Sequence, residues 1–191
     1  MLFDQDFAIK LHLKEQTLLV ASIRPENKSQ IDEGFHYLSS ESIRNRFMGS
    51  KKEFTSQELS YLTELDGINH YAIGVLERAD AKRGIAVARI VRSSEDATEA
   101  EVAITIIDEY QRRGLGSILL NLLILAGQER GIRNLSFTYF HENSGIERLI
   151  HKTGKFLEEK ALGETKHVLM DISLIDQGEI KSRLATFLPQ I

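Results

Sequence analysis

The chain contains no cysteine. Disulfides, thiolate metal sites and a cysteine nucleophile are therefore excluded, and the composition is compatible with a reducing cytosol. Proline is scarce: Pro25 and Pro189 are the only two, and both sit near apparent element boundaries. There is no Pro/Gly-rich linker, low-complexity tract or internal repeat. Long apolar runs are missing too. The longest, Ile118 to Gly127, contains Asn121 and is too short to span a bilayer. The opening MLFDQDFAIKLHLKEQ carries acidic residues early and no uninterrupted apolar core, so it does not read as a signal peptide. The expectation is a cytoplasmic protein without membrane contact. An excess of positive charge is also lacking. The formal net charge of −4 argues against broad nucleic-acid binding, which needs a basic surface. A local basic patch for a small anion stays compatible with it.

What is present suits one globular domain. A chain of 191 residues with 42% apolar and 27% charged residues can bury roughly 70% of its unfolded surface without staples. Thr17 to Arg24 reads as a strand. Asn27 to Leu38 and Ser40 to Met48 read as helices, the second opened by serines that suit an N-cap. Thr55-Ser56-Gln57-Glu58 is a capping-box pattern ahead of Leu59, Leu62 and Leu65, and Asp66-Gly67 predicts the end of that helix. His70 to Glu77, Gly84 to Val91 and Glu99 to Ile107 are rich in Val, Ile and Tyr and predict an antiparallel meander. A helix over Gly114 to Arg130 follows, stopped by Gly131. Then come a strand over Asn134 to Phe140, a short helix over Asn143 to Lys152, and strands over Phe156 to Lys160 and Lys166 to Leu174. Ile180, Leu184, Phe187 and Leu188 mark a C-terminal amphipathic helix. It either docks on its own domain or forms a homodimer contact. Helices, a meander, then alternating strands and helices predict an α+β fold with a mixed, mostly antiparallel sheet. The expected divisions are an N-terminal extension over 1–16, the main domain over 17–174 and a helical tail over 175–191.

The stretch from Glu101 to Gly131 gathers positive charge and backbone freedom where a strand becomes a helix. A P-loop needs G-x-x-x-x-G-K-[ST], and no Gly-Lys-Ser/Thr occurs anywhere. The dinucleotide fingerprint needs glycine at position 119, where Leu119 sits, and Asp108 to Arg113 separate the turn from its strand. A third reading is a basic, glycine-containing loop that feeds a helix N-terminus. The first amides of a helix lack internal partners, and the helix dipole favours negative charge there. Glycines let the backbone approach a phosphate closely, and Arg112 and Arg113 add positive potential. Asp108 and Glu109 must then face away. The glycines alone do not choose between this and a solvated turn.

Gln111-Arg112-Arg113-Gly114-Leu115-Gly116 resembles the [QR]-x-x-G-x-[GA] motif of the GNAT superfamily of acyl-CoA-dependent N-acyltransferases. The apolar strand Val102 to Ile107 lies where that family places its fourth strand. Glu142-Asn143-Ser144, then Gly154 and Phe156, resemble the family's E-N-x-x-A-x-x-L-Y-x-x-x-G-F segment. The resemblance covers roughly Thr17 to Leu174. The stretch from Leu38 to Gly74 also looks like the amino-terminal half of Pat-type protein lysine acetyltransferases.

The resemblance implies that acetyl-CoA is the co-substrate. It implies that the pyrophosphate lies on main-chain amides of Arg112, Arg113, Gly114, Leu115, Gly116 and Ser117. It further implies that the pantetheine arm pairs with the backbone of Ile104, Thr105 and Ile106, and that Asn143 contacts the arm from the other side. On pattern alone Asn143 is a helix N-cap, and both roles can hold together. Glu101 matches a Pat-type glutamate used as general base; the plain reading is a surface carboxylate at a strand end, with Glu99 on the same face. The family's acidic tyrosine falls at Ile150, so that role is empty, and Tyr139 and His141 are near in sequence. The Gly154-Lys155-Phe156 spacing also departs from the motif. The expected acceptor is a protein lysine. A small amine, or a non-catalytic acyl-CoA-binding regulatory role, is the alternative. The six scattered histidines show no H-x-x-x-H or H-E-x-x-H pattern, so no metal site is expected.

Overall fold

The computed structural model describes residues 1–77, 83–92 and 97–191. Strands β1 (Ala8–Leu13) and β2 (Gln16–Ser22) form an antiparallel hairpin. Helices α1 (Lys28–Phe35), α2 (Ser40–Phe47) and α3 (Ser56–Thr63) follow. Next come β3 (His70–Leu76), β4 (Gly84–Arg92) and β5 (Glu99–Ile106), then α4 (Leu115–Glu129), β6 (Asn134–Phe140) and α5 (Ser144–Thr153). The chain closes with β7 (Lys155–Leu162), β8 (Thr165–Asp171) and α6 (Gln177–Leu184). Among the described residues, eight strands make one sheet in the order β1-β2-β3-β4-β5-β6-β8-β7. The β3-β4-β5 meander is antiparallel, and β5 with β6 is the parallel pair. This is the expected α+β architecture.

Local chemistry explains the elements. In β1, Ile9, Leu11 and Leu13 turn inward while Lys10 and His12 face out, the period-two pattern of a half-buried strand. Part of the expected N-terminal extension is thus an edge strand, and the strand matched to the family's fourth is fifth here. Ser39 caps α2 by accepting the Ser42 N–H, and Thr55 with Glu58 closes both halves of the capping box on α3. Helix α3 stops at Thr63 rather than at Asp66-Gly67. The Asp66 carboxylate accepts the N–H groups of Ile68, Asn69 and His70 and folds that segment into a turn instead.

Helix α4 is apolar on all sides and buried between sheet, α5 and α6. It ends in a Schellman motif: the N–H of Ile132 reaches the Gly127 carbonyl and that of Gly131, at φ 72°, reaches Gln128. Ile180, Leu184 and Leu188 are buried, and Gln128 holds the carbonyls of Ile172 and Ile175. The C-terminal helix therefore docks on its own domain. An added Cβ on Gly116 of α4 would touch Ile106, whereas α1 and α2 share a cavity with Val87 and Thr105. Successive strand residues point to opposite faces. Helices α1 to α3 thus cover one face of the central sheet and α4 to α6 the other.

Candidate functional site

The site begins where two strands part. β5 pairs with β6 only through Glu99↔Asn134, Ala100↔Leu135 and Glu101↔Ser136. Beyond Glu101 the strands diverge. On its other edge β5 stays zipped to β4 up to Ile106↔Ala86, and the Ile107 N–H continues that ladder to Ile85. Hydrogen-bonded pairs alternate in an antiparallel ladder. Since Ile107 is bonded to β4, so is Thr105, while Ile104 and Ile106 turn their main-chain groups toward the opening. The Ile106 carbonyl is taken by the Gln111 side chain at 3.0 Å; its N–H points into the cleft. Of the three strand residues expected to present backbone, Ile104 and Ile106 do so and Thr105 does not. Thr105 instead lines a cavity under α1 to α3.

The loop after β5 ends at the same opening. Arg112 has φ 57°, and Gly114, the N-cap of α4, has φ 90° and ψ −8°. Glycine has no side chain to cap with, so α4 starts open. Among the described residues, the N–H groups of Arg112, Arg113, Gly114, Leu115 and Gly116 donate to no protein atom. The Ser117 N–H turns back to the Gly114 carbonyl at 3.1 Å. Leu115 itself is buried, so only its backbone is on offer. Arg113 lies over the Tyr110 ring at 4.9 Å, and Arg112 is exposed.

The acidic residues of the loop are held away. Asp108 accepts the N–H and hydroxyl of Ser39 at 2.9 and 2.6 Å, and Glu109 accepts from Arg83 at 2.7 Å. Gln111 also donates to the Ser42 hydroxyl at 2.9 Å. One amide side chain thus ties the strand end to α2, a physical reason for a glutamine in that motif position.

Glu101 is exposed at the last paired position of β5, on the face covered by α1 to α3. Arg46 of α2 is close enough to feel its charge: burial lowers the Arg46 pKa, and the Glu101 carboxylate and Tyr61 raise it. Arg89, on β4, is only 4% exposed and lines the same cavity as Arg46. It pairs with His70 Nε2 at 2.9 Å and donates to the Leu62 carbonyl at 3.4 Å. Burial, then Arg46, push its pKa down to about 9. Burial, then Arg89, push that of His70 down to about 4. His70 is therefore neutral at pH 7 and accepts the Arg89 proton through Nε2. Sequence reasoning missed Arg46 and Arg89. The visible signal was an arginine inside the apolar strand GIAVARIVR.

Residues 40–154 match the acetyltransferase (GNAT) family, more than half of the chain. The chain belongs to the GNAT acetyltransferase family. It is 34% identical over 125 residues to acetyltransferase Pat of Mycolicibacterium smegmatis, covering 65% of this chain and 37% of the relative. It is 28% identical over 119 residues to acetyltransferase PA5475 of Pseudomonas aeruginosa, covering 62% and 63%. The match thus spans less than two thirds of either relative. Among solved structures, the GNAT domain of S. lividans PAT superimposes with TM-score 0.77 at 20% identity, over 86% of this chain and 96% of that one. YncA from Salmonella typhimurium, solved with its cofactor acetyl-CoA, gives TM-score 0.62 at 12% identity, over 83% and 95%. These likenesses show a GNAT fold.

Against the GNAT pattern, Asn143 caps α5, its side chain accepting the Ile146 N–H at 3.3 Å. The cap uses the oxygen and leaves the amide NH2 free to donate. Ile150 is fully buried, so no acid stands at the position of the family tyrosine. The Tyr139 hydroxyl is buried without a hydrogen-bond partner among the described residues, and burial, then Glu147, raise its pKa. His141 is engaged with the Gly163 carbonyl. Glu147, His151 and Glu159 bring ligand atoms within 4.8 Å of one another. Lys166 already bridges Glu147 and Glu159, supplying the counter-charge a metal would bring. Among the described residues, no helix is long and apolar enough to cross a membrane.

Proposed function

We propose that this domain transfers the acetyl group of acetyl-CoA to a primary amine by direct attack in a ternary complex. The observation that carries this reading is the juxtaposition at one opening of strand backbone without a strand partner, Ile104 and the Ile106 N–H, and unpaired loop N–H groups, 112–116. An anionic, extended ligand fits both parts. The loop N–H groups and the positive end of α4 suit a diphosphate. The strand edge suits an amide-bearing arm that adds as a pseudo-strand, and the free NH2 of Asn143 suits its other side.

Acetyl-CoA, when bound, supplies an acetyl group activated as a thioester. The protein then has two tasks. An alkylammonium with pKa near ~10.4 must lose a proton before it attacks, and Glu101, at the mouth of the cleft, takes that proton directly or through water. The Ile106 N–H is the donor for a carbonyl oxygen that gains charge. No cysteine exists for a thiol-bound acyl-enzyme. A leaving thiolate needs no strong acid, since a thiol pKa is only about 8.5; the buried Ile150 in place of tyrosine is compatible with turnover.

The resemblance of Leu38 to Gly74 to Pat-type protein lysine acetyltransferases supports a protein lysine as acceptor, and the lack of cysteine is compatible with a cytoplasmic setting. A small amine is the second reading, favoured by the cavity under α1 to α3 on the Glu101 face. Purified protein with acetyl-CoA and an acceptor panel should release free thiol. Coenzyme A binding without release from any acceptor would refute the enzyme reading in favour of a non-catalytic acyl-CoA-binding domain.

A further inference from the structure

The cavity under α1 to α3 has two chemically distinct walls. One is apolar: Phe35, Phe47 and Phe54 form an aromatic cluster with centroids 4.9 to 5.9 Å apart, next to Leu62. The other carries Arg46 and Arg89. Among the described residues, neither arginine has a carboxylate within 4.0 Å. A buried guanidinium without a counter-ion is costly, and Arg89 holds only a neutral imidazole and one long carbonyl contact. Arg130 shows the contrast: it is also buried, yet it donates to the carbonyls of Gly67, Ala126 and Phe3. Arg89 thus has two neutral partners and no carboxylate among the described residues, and it lines an open space. That space, about 70 Å³, is several times what one water needs. It suits a small group rather than a folded surface.

The cavity lies beside the proposed chemistry. Arg89 pairs in register with Ala103 and Val91 with Glu101, on the same face of the sheet. The Arg89 row is therefore two residues, roughly 7 Å, from the Glu101 row.

We propose that this cavity is the acceptor pocket for a small primary amine bearing a carboxylate and an apolar body, the class of the apolar amino acids. Arg89 and Arg46 receive the carboxylate, the phenylalanines receive the apolar body, and the amine lies toward Glu101. The proposal rests on the acetyl-transfer reading above and commits to its small-amine alternative in place of a protein lysine. In the reaction the new N–C bond replaces the C–S bond and sulfur departs with the bonding pair. Of the two protons the ammonium nitrogen loses, the first goes to Glu101 before attack and the second, directly or through water, to the departing thiolate. The carboxylate is unchanged throughout.

Thiol release from acetyl-CoA is measured with L-leucine and L-phenylalanine, with leucinamide and phenylalaninamide, and with spermidine and a lysine-containing peptide. A charge-assisted contact predicts a kcat/KM at least about ten-fold higher for each acid than for its amide. Arg46→Gln and Arg89→Lys should each shrink that ratio, Arg46→Gln carrying the test should the buried Arg89 variant fail to fold. Calorimetry of N-acetyl-L-phenylalanine against its amide, with coenzyme A present, reads the same preference without turnover. Acetylation of spermidine or peptide with no preference for the acids would overturn the proposal while the acetyl-transfer reading stands. Failure of every acceptor to release thiol would overturn both.

Discussion

Gly114→Ala and Gly116→Ala are the same chemical change two residues apart, and the structure predicts opposite results. Gly114 holds φ 90°, a left-handed conformation, and an added Cβ would meet nothing within 4 Å. Alanine there causes no clash; its cost is conformational, about 1–2 kcal/mol. If the loop keeps its shape, that strain lowers stability, and for a chain of this size the melting temperature falls by roughly 2–8 °C. If the loop relaxes to negative φ instead, the N–H groups of 112–116 no longer converge. Coenzyme A affinity then falls by about 5–30-fold, the same free energy read as binding. At Gly116 the backbone is helical, and a Cβ would lie 3.4 Å from Leu149 Cδ2 and 3.6 Å from Ile106 Cδ1. Alanine is the better helix former by up to about 1 kcal/mol. Gly116→Ala should therefore melt at the same temperature or higher and bind coenzyme A within about three-fold of the parent. Thermal unfolding by circular dichroism and titration calorimetry with coenzyme A read the two effects. If Gly114→Ala melts and binds like the parent, or if the two variants behave alike, the open N-terminus of α4 is not the anion site.

Three further outcomes follow from the geometry. Glu101→Gln should lower turnover by roughly 10²–10⁴-fold with coenzyme A affinity unchanged; equal turnover in a steady-state assay removes Glu101 as the base. Asn143→Asp keeps the capping oxygen but loses the NH2 donor, so it should keep the parent melting temperature and weaken coenzyme A, whereas Asn143→Ala should also lose about 1 kcal/mol of stability. Calorimetry beside thermal melts separates these roles, and undiminished affinity in both variants refutes the contact. His70 has its pKa lowered from 6.5 to about 4, so between those values the unfolded chain binds a proton that the folded chain does not. Stability should rise with pH through that window and level off above it. Urea unfolding from pH 4.5 to 7.5 should show that slope, and a slope unchanged in His70→Phe contradicts the assignment.

Much of the fold was legible because its causes are local. Thr55 and Glu58 read as a capping box since both partners lie within one turn, and Gly131 read as a helix stop since its conformation excludes most side chains. Gln111 to Gly116 read as a turn into a helix whose glycine start leaves amides free, and the family resemblance, not the glycines, implied an anion there. Misreadings came where a local rule had a competitor. Asp66-Gly67 looked like the end of α3, but the Asp66 carboxylate gathered three N–H groups and ended the helix earlier. Residues 8–13 alternate as a strand should, yet an edge strand is visible as such only beside the partner it pairs with. Thr105 was grouped with Ile104 and Ile106, and only the β4 register shows that its backbone faces the other way.

The sequence by itself determined most of the helices and strands after residue 16, where α4 begins and ends, and that a helix N-terminus near Gly114 is left without a side-chain cap. Those are matters of spacing and backbone chemistry within a few residues. Tertiary structure alone decided that β5 releases β6 after Glu101, that Ile104 and Ile106 present the open edge, and that Arg46, Arg89 and Glu101 share one face. Strand register and burial depend on partners remote along the chain, and no local pattern specifies which polar groups they leave unpaired.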